Sequence, residues 1–251
     1  MDDFALSDYG RASTVPAPVS HMMAAFAADF RDDVDINLGV GYVNEKTIPA
    51  ESIVEAVRHV VDSPEEHRQA LNYGGPHGSP NLIRSLRDYY LRGGIGGLTE
   101  EILARTGFAI GANGATSLLE ALAQVLRPGV VISSDPVYYI YSNFLERCGF
   151  EIAAVPEDDD GLRIDALEEK LAALGDRRRE ISFIYLVTVS NPTCSILAND
   201  RRRRLVEIAG ELSAEIGCKV PLILDKAYED LVHDPGVEKP LSGLLWDRQG
   251  L

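Results

Sequence analysis

The chain has 251 residues and a formal net charge of −15, from 39 acidic and 24 basic side chains. This charge repels phosphate backbones, so nucleic acid is not an expected partner. The one basic run, Arg201 to Arg204, begins a helical pattern and is interpreted as its solvated face. Hydrophobic residues make up 45%, as in ordinary globular proteins, and no apolar run is long enough to span a bilayer. We expect neither a nucleic-acid partner nor a membrane partner.

Three widely separated cysteines, Cys148, Cys194 and Cys218, argue against a disulfide framework and for a reducing compartment. The acidic N-terminus lacks the apolar region of a signal peptide, so a cytoplasmic location is expected. The five histidines show no metal-ligand spacing. They are interpreted as surface or loop residues, and no metal site is predicted.

The first hundred residues predict a polar arm followed by alternating helices and loops. The predicted elements are a helix over Val19–Phe30, a strand over Ile36–Gly41, and helices over Ala50–Val61 and Pro80–Leu91. Residues 71–78 form a glycine-rich loop that contains Tyr73. Long loops with several glycines and an aromatic residue are often functional.

From Phe108 onward, predicted strands alternate regularly with predicted helices. The strands are Phe108–Ile110, Val130–Ser133, Glu151–Val155, Ile181–Val187 and Leu222–Leu224, and the helices are Ala115–Leu126, Tyr139–Cys148, Ile164–Leu174 and Asp200–Ile216. This alternation is typical of βαβ units, whose helices cover both faces of a mostly parallel sheet. The predicted fold class is α/β, with three αβα layers.

The last strand, three apolar residues that we expect to be buried on both faces, ends in Asp225, and Tyr228 follows three residues later. Open α/β sheets bind ligands at the carboxyl ends of their strands. An acid and a phenol there suit a heteroaromatic cofactor, because the acid keeps a ring nitrogen protonated and the phenol bonds a ring oxygen. The alternative is an acid that caps the next helix.

Three other strand ends deliver groups to the same predicted edge. Gly114, Ala115 and Thr116 begin a helix whose free N–H groups and dipole suit a phosphate, although a capped helix without a ligand is the alternative. Tyr138 could stack on a flat cofactor, while two of the three tyrosines at 138, 139 and 141 are expected to pack the start of a helix. Asn191, before a proline, can donate its amide to a ring oxygen.

Together these motifs resemble the class I/II aminotransferase family of fold type I pyridoxal phosphate enzymes, from about Asp35 to the end of the chain. Asn191-Pro192-Thr193 resembles the family's Asn-Pro-Thr-Gly, and Asp225-Lys226-Ala227-Tyr228 resembles its Asp-x-Ala-Tyr. The resemblance implies that Asn191 and Tyr228 bond the cofactor's ring oxygen and that Asp225 pairs with the pyridine nitrogen.

The same resemblance assigns the remaining site residues. Residues 113–116, with Gly114, Ala115 and Thr116, correspond to the phosphate-binding turn, and Tyr138 corresponds to the stacking aromatic. Tyr73 matches the residue that reaches the phosphate of the partner subunit, which implies a homodimer with shared sites. Leu38–Gly41 matches the segment over the substrate carboxylate, so Gly41 is an expected substrate contact. Asn191 is the other expected substrate contact.

The function implied is pyridoxal phosphate-dependent transfer of an amino group between an α-amino acid and a 2-oxo acid. Residues 1–50 would be an arm and a small-domain segment, and residues 51–251 a large cofactor-binding domain, incomplete at its C-terminus. A lyase or synthase of the same fold, such as a C–S lyase or an aminocyclopropane-carboxylate synthase, is the alternative. A pyridoxal phosphate-binding remnant without catalysis is another.

Two features depart from the family pattern. Cys194 stands where the family usually has glycine. The family's Schiff-base lysine lies on a later strand, in a Ser-x-Ser-Lys context, with a carboxylate-binding arginine further on, and neither precedes Leu251. Lys226 should point away from Asp225, since neighbours in extended backbone face opposite ways. We therefore expect a C-terminally truncated chain, inactive alone, in which none of the five lysines forms the Schiff base: Lys46, Lys170, Lys219, Lys226 and Lys239.

Overall fold

The computed structural model describes residues 5–16, 18–29, 31, 34–36, 43–68 and 70–251. The helices in these ranges are α1 (Asp8–Ala12), α2 (Pro18–Asp29), α3 (Ala50–Asp62), α4 (Pro80–Gly93), α5 (Glu100–Ala104), α6 (Gly114–Val125), α7 (Tyr139–Arg147), α8 (Ile164–Leu174) and α9 (Asn199–Ile216). The strands are β1 (Val130–Asp135), β2 (Glu151–Asp158), β3 (Gly161–Leu162), β4 (Ile181–Val187) and β5 (Leu222–Asp225). Of the helices described, none has the length and apolar content to cross a membrane.

The chain separates into two compact units, residues 1–81 and residues 82–251. In the first unit, α2 and α3 confirm two of the predicted helices. The predicted strand over Ile36–Gly41 falls almost entirely outside the described residues. The predicted domain boundary after residue 50 stays a prediction.

The second unit contains one five-stranded sheet in the order β3-β2-β1-β4-β5. Strands β2, β1, β4 and β5 are parallel, and the two-residue β3 pairs antiparallel with β2. The alternating pattern did not predict β3. Helices α6 and α7 pack on one face and α8 and α9 on the other, which confirms the three-layer αβα fold.

Two hydrophobic clusters fill the spaces between the layers, and side chains of β1 and β4 alternate between them. Val130, Ile132, Ile184 and Leu186 face α8 and α9, together with Leu167, Leu171, Leu205, Ile208 and Leu212. Val131, Phe183, Tyr185 and Val187 face α6 and α7, together with Leu119, Ala123, Tyr141 and Leu145. A strand buried on both faces reads as a continuous apolar run, which is why β4 was predicted with its observed bounds.

Two strand predictions need correction. Residues Phe108–Ile110 do not form a strand, because no other described segment pairs with their backbone, and a strand exists only through such pairing. The last strand, β5, is only half-buried along its length, not buried on both faces. It lies at an edge of the described sheet, so one of its flanks has no neighbouring strand.

The basic run at the start of α9 is not simply a solvated face. Arg202 is fully buried; its guanidinium bonds Glu229 at 2.7 Å and the carbonyl oxygen of Leu197 at 2.8 Å. Oε1 of Glu229 also forms an ion pair with Nζ of Lys226, at 3.0 Å. Burial opposes the ionised form of Glu229, yet the charges of Arg202 and Lys226 hold the pKa of Glu229 below its usual value. Arg202 therefore ties α9 to the segment after β5.

Replacing Arg202 with methionine should lower the free energy of unfolding by about 3–5 kcal/mol, because Glu229 would lose its buried guanidinium partner. Urea unfolding followed by the fluorescence of Trp246, the single tryptophan, measures this. Arg203→Met is the matched control, since the Arg203–Glu207 pair on the same helix is exposed and should matter much less. Equal losses in the two variants would contradict the structural role given to Arg202.

Candidate functional site

Asp225 closes β5 at the carboxyl edge of the sheet, opposite Val187 of β4. Each of its carboxylate oxygens accepts one hydrogen bond from the protein. The backbone N–H of Ala227 donates to Oδ1 at 3.0 Å, and the hydroxyl of Tyr185 donates to Oδ2 at 3.1 Å. The side chain is half-buried. The carboxylate is thus held in one orientation, with lone pairs left over for a ligand.

Asn191 and Tyr228 lie together beside this carboxylate's strand end. Asn191 follows β4 in a turn closed by two backbone bonds, from Ser190 to Ser195 at 2.9 Å and from Cys194 to Ser190 at 2.8 Å. Its Nδ2 donates to the hydroxyl of Tyr228 at 3.4 Å. Two groups that can each donate a hydrogen bond therefore lie side by side, and their predicted bond to a shared ring oxygen stays a prediction.

Tyr138 immediately precedes α7 and is half-buried. Burial, and then the nearby hydroxyls of Tyr228 and Tyr139 and the Asp225 carboxylate, raise the pKa of Tyr138 above its usual value. These influences place Tyr138 in the same cluster as Asp225 and Tyr228. Of the other two tyrosines, Tyr141 is buried and Tyr139 is 43% exposed. Two of the three tyrosines were expected to pack the start of the helix, and of these two only Tyr141 does so.

Helix α6 begins at Gly114, which has a φ of 61°. The side chain of Asn113, the residue before this helix, makes no capping hydrogen bond, and Gly114, Ala115 and Thr116 are all exposed. Nothing lies within 4 Å of where a Cβ on Gly114 would stand. The first-turn N–H groups are therefore accessible to an anion, and the phosphate site at this turn stays a prediction.

A chain of contacts joins this helix to Asp225. Tyr141, at the start of α7, donates its hydroxyl to the carbonyl oxygen of Leu119 in α6 at 3.0 Å. The ring of Tyr141 meets that of Tyr185 edge to face, with centroids 4.7 Å apart, and Tyr185 bonds Asp225. Because α7 begins just past the carboxyl end of β1, the first half of α6 lies at that edge too.

Tyr185 is the residue of this cluster that sequence reasoning missed. It lies within the apolar run of β4, and this pattern predicts only a buried strand. The signal was its hydroxyl, because a buried tyrosine needs a hydrogen-bond partner. Position alone could not reveal that the partner is the acid at the end of the next strand.

Tyr73 and Gly41 are the other predicted site residues, and Lys226 is the lysine next to Asp225. Tyr73 belongs to the first unit and is 95% exposed. Gly41 lies outside the described residues. Lys226 pairs with Glu229 and lies over the ring of Tyr90, with its Nζ 5.7 Å from the ring centroid. Its ammonium is thus engaged with groups other than Asp225.

The structure also brings two histidines together with an acid, which sequence spacing did not predict. The ligand atoms of His59, Glu66 and His67 lie within 4.8 Å of one another. The amide nitrogen of Asn81 lies 3.4 Å from Nδ1 of His67 and also donates to the Glu66 carbonyl. Nε2 of both rings lies 3.8–3.9 Å from Oε2 of Glu66. The trio is best described as imidazole–carboxylate contacts.

Comparisons with known proteins decide the family. The family model for aminotransferase class I and II matches residues 33–244. The chain belongs to the class I and II aminotransferase family. The predicted resemblance is therefore confirmed at the level of the family, while the roles of individual site residues stay predictions.

Individual relatives belong with this family, and each of them is longer than this chain. It is 26% identical over 219 residues to aromatic-amino-acid aminotransferase 1 of Thermococcus litoralis, covering 86% of this chain and 48% of that protein. It is 26% identical to LL-diaminopimelate aminotransferase of Parabacteroides distasonis, covering 87% and 51%. Kynurenine aminotransferase of Pyrococcus horikoshii has the same fold, with a TM-score of 0.73, 21% identity, and coverage of 99% and 56%. The chain spans about half the length of these relatives.

The family's usual glycine after Asn-Pro-Thr is replaced here by Cys194, and the structure shows what that position requires. Cys194 has a φ of 63°, in the left-handed region, and is exposed. Glycine adopts this conformation without the Cβ clash that a cysteine meets there. The substitution therefore leaves the turn, and Asn191 within it, in place at some conformational cost.

Replacing Cys194 with glycine should raise the free energy of unfolding by about 0.5–1 kcal/mol, because relief of the left-handed strain exceeds the greater entropy of glycine in the unfolded chain. Cys194→Ala is the matched control: it removes the thiol but keeps the Cβ, so it should bring no such gain. Urea unfolding followed by Trp246 fluorescence compares the two. A glycine variant less stable than the alanine variant would show that the turn is not strained.

Proposed function

We propose that residues 82–251 form the cofactor-binding part of a pyridoxal phosphate-dependent aminotransferase. The observation that carries this proposal is the convergence, at one edge of one sheet, of the Asp225 carboxylate with the Asn191 and Tyr228 donors. The open start of α6 lies at the same edge. Family membership supports the same conclusion.

The groups at this edge complement the three polar parts of pyridoxal phosphate. The uncapped N-terminus of α6, with no atom near a Cβ of Gly114, suits a phosphate that must approach backbone N–H groups. The paired Asn191 and Tyr228 suit the ring oxygen. Asp225, already fixed through both oxygens, suits a protonated ring nitrogen.

Each of these residues then has a distinct task in the reaction. Asp225 holds a proton at the ring nitrogen, since a carboxylate next to a base favours its cationic form. Asn191 and Tyr228 would orient the ring as hydrogen-bond donors to its oxygen, and the Tyr138 ring would stack on it. When bound, pyridoxal phosphate supplies the electron sink that an amino acid needs to lose its α-proton.

The proposed substrates are an α-amino acid and a 2-oxo acid. The relatives named above act on aromatic amino acids, on LL-diaminopimelate and on kynurenine, by their names, so they do not select one side chain. A lyase or synthase of the same fold uses the same cofactor-binding residues. Product analysis separates the two, because only an aminotransferase passes the amino group to a second oxo acid.

We also propose that the protein is a homodimer in which Tyr73 reaches the partner's site. The support is its position in a glycine-rich loop that leaves the side chain 95% exposed, together with the family motif around it.

The three cysteines of the described chain are free, which suits the cytoplasm as the proposed location.

Pyridoxamine phosphate tests the proposed site directly, because its amine forms no Schiff base and so needs no lysine. Asp225→Asn should weaken its binding by roughly tenfold or more, since a neutral amide cannot stabilise a protonated ring nitrogen as a carboxylate does. Isothermal titration calorimetry measures the dissociation constants. Asp230→Asn, which removes the charge of an exposed acid five residues later, is the matched control and should leave binding unchanged.

Two results would contradict the proposal. One is wild-type chain that does not bind pyridoxamine phosphate, and the other is equal weakening by both variants. Borohydride reduction after incubation with pyridoxal phosphate, followed by peptide mapping, tests the lysines separately. A stoichiometric modification of Lys226 or Lys239 would show that the prediction about the Schiff-base lysine is wrong.

A further inference from the structure

The orientation of the Asp225 carboxylate depends on the groups that donate hydrogen bonds to it. A carboxylate at a strand end can rotate about its last torsion, which is broad. In Asp225 one oxygen is bonded by the N–H of Ala227, a local contact within the family's Asp-x-Ala-Tyr motif. The other oxygen is bonded by Tyr185, forty residues earlier in the chain.

Tyr185 lies in a fully buried part of the sheet. Tyr185 is 1% exposed in β4, a strand paired on both sides, with Ser133 of β1 and Ile223 of β5 as its neighbours. Its ring packs edge to face on Tyr141, which is itself bonded to α6. The phenol therefore has little freedom to turn away from Asp225.

The Tyr185 hydroxyl also stays protonated. Burial, and then the charge of Asp225, raise the pKa of Tyr185 well above its usual value. A phenol that keeps its proton donates its hydrogen bond to the ionised carboxylate of Asp225. The direction of this bond is thus fixed.

We propose that Tyr185 is a positioning residue for the cofactor's ring nitrogen, because its hydroxyl fixes Oδ2 of Asp225 and so aims the carboxylate at that nitrogen. The inference rests on the proposed function. It assigns Tyr185 no contact with cofactor or substrate: its effect passes through Asp225 alone. A residue that acts this way should matter only for ligands that carry the nitrogen.

Tyr185→Phe tests this, because it keeps the ring against Tyr141 and removes only the hydroxyl. The ligands are pyridoxamine phosphate and its 1-deaza analogue, in which CH replaces the ring nitrogen. Wild-type chain should prefer the nitrogen-bearing ligand, and Tyr185→Phe should lower that preference about fivefold, as expected for one hydrogen bond to a charged group that acts indirectly. In the Asp225→Asn background, Tyr185→Phe should change the preference no further.

Tyr141→Phe is the matched comparison, since it removes a buried hydroxyl one ring away that bonds a backbone carbonyl instead of Asp225. It should affect both ligands equally. If Tyr185→Phe also weakens both ligands equally, or leaves the preference intact while Asp225→Asn abolishes it, the inference is overturned and the proposed function survives. If wild-type chain binds neither ligand, the proposed function fails and the inference fails with it.

Discussion

The position of β4 between β1 and β5 is the constraint on which the candidate site depends. Parallel pairing on both sides, with Val187 opposite Asp225, brings three strand ends to one edge. The alternation of β4 side chains fills the core on both faces, so the strand cannot slip by one residue without exposing its apolar set. Register, and with it the location of Asp225 relative to Asn191, is therefore fixed by hydrophobic burial.

Much of this arrangement could be predicted from the sequence, because buried strands and amphipathic helices have distinct periods. The bounds of α8 and β4 match their predictions, and the other helices and strands predicted after residue 113 differ by one to three residues. The failures have a common cause, which is dependence on neighbours. Phe108–Ile110 has the composition of a strand but no described partner, and β3 is a two-residue strand that exists only through β2.

The candidate site shows the same division. Asp225, Asn191, Tyr228 and the start of α6 were predictable, because each ends a strand, follows a strand within four residues or begins a helix, and carries a chemically distinctive group. Tyr185 was not, since its importance comes from a contact between two strands that the sequence separates by forty residues. Likewise, nothing in the run Arg201–Arg204 distinguishes the buried arginine from its exposed neighbours until Glu229 is located.

Glu229 and Asp225 illustrate how the chain keeps two nearby acids in different roles. Glu229 is buried and paired with two cations, Arg202 and Lys226, so its charge is neutralised within the protein. Asp225, four residues earlier, is half-buried, and among the described residues its carboxylate accepts hydrogen bonds from a backbone N–H and a phenol, neither of which carries charge. Since Lys226 is committed to Glu229, the negative charge of Asp225 is left without a cation from these pairs. A carboxylate oriented by neutral donors is suited to a cationic partner that arrives with the ligand, which is what a protonated pyridine would provide.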